Sequence, residues 1–167
     1  MIFSGIKSVT IPKGVVTKIT SAGVKLWEKA TYKNWLTYSV NQDGTDYRGD
    51  NGEDGYRKNY RYSASSKAEK SAQGFDCIGY IPVLAGDIVR IADVGEISQS
   101  TDPNGYAAAY YFRQDFGQQG GATYIKYNYQ DGIYILEVPL NYPDIRWVKL
   151  TLKGVSDNTI ITVNEEI

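Results

Sequence analysis

The chain has 167 residues, with 18 Lys and Arg against 19 Asp and Glu, a net charge of −1 and no histidine. Without histidine, Ser-His-Asp and Cys-His nucleophilic catalysis, imidazole acid–base chemistry and His-ligated zinc are all excluded. The charges are interspersed with no basic patch, and no apolar run approaches the roughly 20 residues that span a bilayer, so neither nucleic acid nor membrane insertion is expected.

Fifteen tyrosines and seventeen glycines stand against a single methionine, and Val, Ile and Thr outweigh Leu. Branched and aromatic side chains suit a pleated, half-buried surface, so the composition favours strands. The opening "MIFSGIKSVTIPKG" lacks a basic segment followed by a long apolar core and does not read as a signal peptide. The expectation is synthesis in a bacterial cytoplasm without export.

In chain order, "GIKSVTIP", "GVVTKITS" and "GVKLWEK" are three short alternating runs separated by Pro-Lys-Gly and Ser-Ala-Gly turns. They predict a small β-meander over residues 1–30. A unit that small buries little by itself, so it reads as an attachment segment, with Ile11, Val16, Ile19 and Trp27 as its apolar contacts. Residues 31–167 form the main body. "NWLTYSV" is strand-like. Asn41 to Asn59, "NQDGTDYRGDNGEDGYRKN", is Gly- and Asp-rich without apolar periodicity and predicts a long loop, a class of segment that is commonly functional or mobile. "YRYSASS" predicts a short strand, and "KAEKSAQG" a polar connection or a helical turn.

From Gly74 onward strand signals come steadily: "FDCIGYIPV", "DIVRIADV", "YAAAYYFRQ", "ATYIKYNYQ", "IYILEVPL", "IRWVKLTLKG" and "NTIITVNEE". Turn residues separate them, and Gln130-Asp131-Gly132 is a hairpin signal because Asp-Gly accepts positive φ. Short strands at near-regular spacing define an all-β fold, read here as a jelly-roll-like sandwich. Alternation places Val148, Leu150 and Leu152 on one face of their strand and Trp147, Lys149, Thr151 and Lys153 on the other, solvated one. Tyr106, Ala108, Tyr110 and Phe112 oppose Ala107, Ala109 and Tyr111, which predicts a strand covered on both sides. Ala85-Gly86-Asp87 joins "GYIPV" to "DIVRI"; no Gly-Lys-Ser follows, so it reads as a structural corner rather than a phosphate loop.

Three groups of residues are candidate sites. Aromatic rings beside polar side chains suit the apolar face and hydroxyls of a sugar, and Trp35, Tyr142 and Trp147 are the candidates for glycan contact; packing within the fold or a subunit interface is the alternative. In the acidic loop, "DNGEDG" resembles the start of a calcium loop, but Gly52 and Arg61 stand where the third and twelfth positions need oxygen ligands. A looser calcium site would draw on Asp50 and Asp54; a solvated Gly-Asp loop is the alternative. No other cofactor is expected. Cys77 is the single cysteine, set in an apolar run, and reads as a buried small hydrophobe. Paired carboxylates remain the one option for catalysis, but the acids cluster on a Gly-rich loop that holds no fixed separation, and Asp87 is explained by its turn. The chain is read as non-enzymatic.

Two stretches carry a family resemblance. "IFSGIKSVTIPKGVVTKITSAGVKLWEKA" resembles the opening of minor structural, tail-associated proteins of phages and prophages of Gram-positive and gut bacteria. "DGYRKNYRYSASSKAEKSAQGFDCIGYIPVLAGDIVRI" is similar to segments of the C-terminal β-domain of the same proteins, on Gly55-Tyr56, Arg61 to Ser66 and Gly79 to Ile91. The resemblance covers roughly the first 95 residues directly. It implies a virion component of the tail, baseplate or a fibre, partnered by other virion proteins, oligomeric with a trimer favoured, and touching a host cell-surface glycan. Many such proteins carry further domains between the two parts, which here are nearly contiguous. A free-standing glycan-binding module and a capsid decoration or head-fibre protein are the other readings.

Overall fold

Eleven strands form among the described residues, in three antiparallel sheets and with no helix. The structure is a computed structural model that describes residues 18–21, 24–28, 33–95, 108–124, 126–128 and 132–167. The chain divides into two units, Met1–Thr31 and Tyr32–Ile167.

In the first unit, β1 (Lys18–Ser21) and β2 (Val24–Glu28) pair antiparallel, with Ile19 opposite Trp27. Ile11 and Val16, and the first run of the expected meander, lie outside the described residues.

The second unit is a β-sandwich. Its strands are β3 (Tyr56–Ser63), β4 (Ala68–Pro82), β5 (Ile88–Ala92), β6 (Ala108–Phe112), β7 (Gln118–Tyr124), β8 (Lys126–Asn128), β9 (Ile133–Glu137), β10 (Trp147–Leu152) and β11 (Ile160–Val163). One sheet has the order β3-β4-β10-β6-β7 and the other β11-β5-β9-β8. Ile78, Ile81, Val148, Leu150 and Leu152 of the first sheet and Val89, Ile91, Leu136 and Ile161 of the second belong to one buried cluster, so the sheets pack face to face. Each such side chain contributes about 1.5–3 kcal/mol when fully buried, and this layer is the main source of stability. The period-2 pattern dictates it: Val89 and Ile91 point in, while Ile88 and Arg90 are half exposed.

The Ala85-Gly86-Asp87 corner is where the chain leaves the five-stranded sheet and enters the four-stranded one. Gly86 takes φ +89°, the Asp87 amide donates to the Leu84 carbonyl (3.1 Å), and Asp87 Oδ2 accepts from the Leu84 amide (2.6 Å). Asn164 Nδ2 donates to Asp87 Oδ1 (2.8 Å), tying the corner to the end of β11. Each carboxylate oxygen accepts one hydrogen bond that holds the turn.

β6 is interior to its sheet and covered on both faces, as its double apolar pattern requires. Three local expectations are corrected. "NWLTYSV" forms turns rather than a strand: Asn34 Oδ1 accepts from both the Leu36 and Ile161 amides, so the side chain bends the chain locally while anchoring it to β11. "KAEKSAQG" is, after the turn residue Lys67, the first half of β4, extended because it pairs with β3 in a hairpin, with Tyr62 opposite Glu69. Its polarity does not break the strand, and the hairpin lays Tyr62 and Glu69 on the outer face of β10. Finally, the Trp147, Lys149 and Thr151 face of β10 is covered: Lys149 and Thr151 are buried.

Candidate functional site

Part of the cover over that outer face comes from the acidic segment, and part from Tyr62 of β3, whose amide donates to Thr151 Oγ1 (3.2 Å). Val40 bridges Tyr80 of β4 and Asp46, and Arg48 bridges Asp54, so residues 40–55 form a folded flap. The flap lies so close that a Cβ on Gly79 would stand 2.5 Å from Tyr47 Cβ and 2.7 Å from Ser39 Oγ. Tyr47 is thereby buried on the sheet.

Beneath it, Lys149 Nζ lies 2.8 Å from Glu69 Oε1, with the Tyr47 and Tyr80 rings 4.4 and 4.6 Å from the ammonium. The Tyr47 hydroxyl donates to Glu69 Oε1 (2.7 Å), and Arg57 Nη1 reaches Glu69 Oε2 at 3.4 Å. Burial pushes the Glu69 carboxyl up, but the Lys149 charge and the hydrogen bonds from Lys149, Tyr47 and Arg57 outweigh it and hold the group below the usual carboxylate range. Burial, reinforced by the neighbouring Cys77 and Glu69, drives the Tyr47 phenol far above its ordinary range, so it stays a donor. Cys77 is buried alongside, its thiol pushed up to about 12, chiefly by desolvation. The network borders a groove of about 600 Å³ whose rim carries Asn41, Gln42, Asp43 and Lys67.

A second cleft, of about 510 Å³, brings together two of the three aromatic candidates. Trp35, from the turn before the flap, and Trp147, at the start of β10, both line it, together with Leu84, Asp87, Gln114 and Arg146. The Trp35 amide is fixed by the Ile161 carbonyl (2.7 Å), and the Lys33 ammonium sits over the ring at 3.7 Å. Trp147 stacks on Phe116, centroids 5.3 Å apart at 17°. Its indole N–H is buried with no hydrogen-bond partner among the described residues. Arg146 Nη1 donates to the Pro143 and Ile145 carbonyls, which aims the guanidinium along the cleft edge. The cleft adjoins a smaller polar hollow, of about 290 Å³, that shares Gln114 and Arg146 and adds Arg113, Asp115 and Asp144.

Tyr142 does not join them. It packs against the core cluster and over Gly120 of β7, where an added Cβ would stand 3.0 Å from its hydroxyl oxygen. Asp50 and Asp54 are each taken by an arginine: Arg57 Nε lies 2.8 Å from Asp50 Oδ1, and Arg48 pairs with Asp54. Among the described residues no cluster of three or more His, Cys, Asp or Glu side chains is arranged to hold a metal ion. Ile19 and Trp27 are partners in the β1–β2 register.

Sequence reasoning missed the Lys149–Glu69–Arg57–Tyr47 network. Its four members come from β10, β4, β3 and the flap, and the one available signal was a lysine between apolar residues in "VKLTL". Comparison with family models, curated proteins and solved structures returned no match.

Proposed function

We propose that this chain is a non-enzymatic structural protein of a bacteriophage particle, at the tail, baseplate or a fibre, whose β-sandwich contacts a glycan of the host surface. The particle assignment rests on the resemblance of the first 95 residues to tail-associated proteins; the absence of histidine supports the non-enzymatic reading. The single geometric observation that supports glycan contact is that Trp35 and Trp147, distant in sequence, line one cleft beside Asp87, Gln114 and Arg146. Flat rings with a few fixed donors and acceptors are what a pyranose requires: an apolar surface for its C–H face and partners for its hydroxyls.

The test is retention of the purified chain on an array of bacterial capsular and wall polysaccharides, with Trp35→Ala and Trp147→Ala beside the parent. Retention lost in both variants, with unchanged circular dichroism, supports the reading; retention unaffected by both removes the cleft from it. Light scattering over a dilution series tests the particle role: a stable trimer supports a fibre or tail-tip protein, and a monomer that persists at high concentration counts against self-assembly.

A further inference from the structure

We propose that the Trp35–Trp147 cleft and the groove beside the flap are two parts of one binding face, which takes an internal stretch of a linear, uncharged polysaccharide rather than a terminal sugar. The inference rests on the glycan reading above and names its ligand class.

The first observation is that the two depressions meet at neighbouring positions on the outer face of the five-stranded sheet. Trp147 and Lys149 are alternate residues of β10 and share its outer face. Lys149 lies opposite Tyr80 and Trp147 opposite Pro82 across the β10–β4 ladder. Tyr80 and Lys149 line the groove, while Pro82 and Trp147 line the cleft.

The second observation is an aromatic ridge between them. Phe116 stacks on Trp147 at 5.3 Å and meets Tyr80 edge-on at 4.9 Å, so one ring touches the walls of both depressions. Phe116 is half-buried and held at φ +58°, a conformation non-glycine residues seldom adopt. The turn that places it is closed by the Phe116 amide donating to the Arg113 carbonyl (3.0 Å) and the Arg113 amide donating to the Gly117 carbonyl (2.9 Å).

The third observation is charge balance. The groove is lined by three cations, Arg57, Lys67 and Lys149, against two carboxylates, Asp43 and Glu69, and the balance closes only over the whole face, where the cleft and its hollow carry one carboxylate in excess. In the cleft and its adjoining hollow, Arg113 and Arg146 stand against Asp87, Asp115 and Asp144. An ionic ligand would lose its hydration and find no surplus of opposite charge to offset the loss. A hydroxyl both donates and accepts, and suits a surface that mixes carboxylates, amides and phenols. The Tyr80 hydroxyl accepts from Gln42 Nε2 (3.0 Å) and keeps its own proton to donate; the Tyr62 hydroxyl donates to Gln118 Oε1 (3.3 Å) and keeps its lone pairs.

The experiment starts from whichever polysaccharide the array retains and titrates the full chain calorimetrically with its size series, one to six units. The expected result is an affinity that climbs at least tenfold with length and then levels off. Gln42→Ala and Lys67→Ala, both at exposed rim positions, remove the gain that length confers. Affinity independent of length overturns the single-face inference while leaving the cleft intact. Retention of acidic polysaccharides alone overturns the ligand class. No retention of any polysaccharide, or binding only to another virion protein, overturns both this inference and the glycan reading.

Discussion

Replacing Glu69 by alanine tests whether the outer face is held by a buried ion pair. The Lys149 side chain is 2% exposed and its ammonium has Glu69 Oε1 at 2.8 Å. Removing the carboxylate leaves that charge with the Tyr47 and Tyr80 rings, whose cation–π attraction is worth about 0.5–2 kcal/mol. Stranding one partner of a buried pair costs about 3–5 kcal/mol. Glu69→Ala should therefore lose about 3 kcal/mol, a large part of a domain stability of about 5–15 kcal/mol. The reverse change is milder. In Lys149→Met the carboxylate, 19% exposed, keeps the Tyr47 hydroxyl and Arg57, and the cost is about 1–2 kcal/mol. The double variant strands no charge and should be more stable than Glu69→Ala alone. Urea unfolding followed by tryptophan fluorescence gives all three values and the coupling between them. A loss below about 1 kcal/mol for Glu69→Ala, with the double variant additive to within about 0.5 kcal/mol, would refute the reasoning.

The same carboxyl sets an acid limb. Because Glu69 is held below its unfolded value of about 4.3, its contribution is complete above that value and is lost as pH falls through the folded-state one. Thermal unfolding at a series of acidic pH values should show a steeper decline for the parent than for Glu69→Gln; parallel curves would contradict it. Gly79→Ala should cost about 1–3 kcal/mol by overpacking against Tyr47 and Ser39, and limited proteolysis should then cut between residues 41 and 55; a variant as resistant as the parent would mean the flap does not depend on that close approach. Cys77 should resist an aromatic disulfide reagent in the native state and react only on unfolding, since it is buried and its thiolate disfavoured; prompt labelling without denaturant would show that the flap opens.

The all-β architecture was legible in the sequence because strand alternation is local. Val89 and Ile91, or Val148, Leu150 and Leu152, declare a buried face within a few residues, and Gly86-Asp87 declares a corner through the φ it needs. The ends and exceptions were less so. "KAEKSAQG" carries no apolar period, and only the cross-strand hydrogen bonds of β3 make it a strand. "NWLTYSV" has the composition of a strand, yet Asn34 satisfies backbone donors at Leu36 and Ile161 and bends it.

Composition alone also established what chemistry this chain lacks, since no fold restores an absent imidazole. It singled out Trp35 and Trp147 but could not place them in one cleft, nor keep Tyr142 out of it, because those positions depend on how two sheets and a turn meet. Most of all, only the tertiary structure decided the fate of the face carrying Lys149. Alternation reports that a residue points away from the core; it does not report that the flap of residues 40–55, distant in sequence, folds back over that face, or that a carboxylate from β4 arrives to neutralise the ammonium. Burial of a charge depends on its partner, and the partner here comes from another strand.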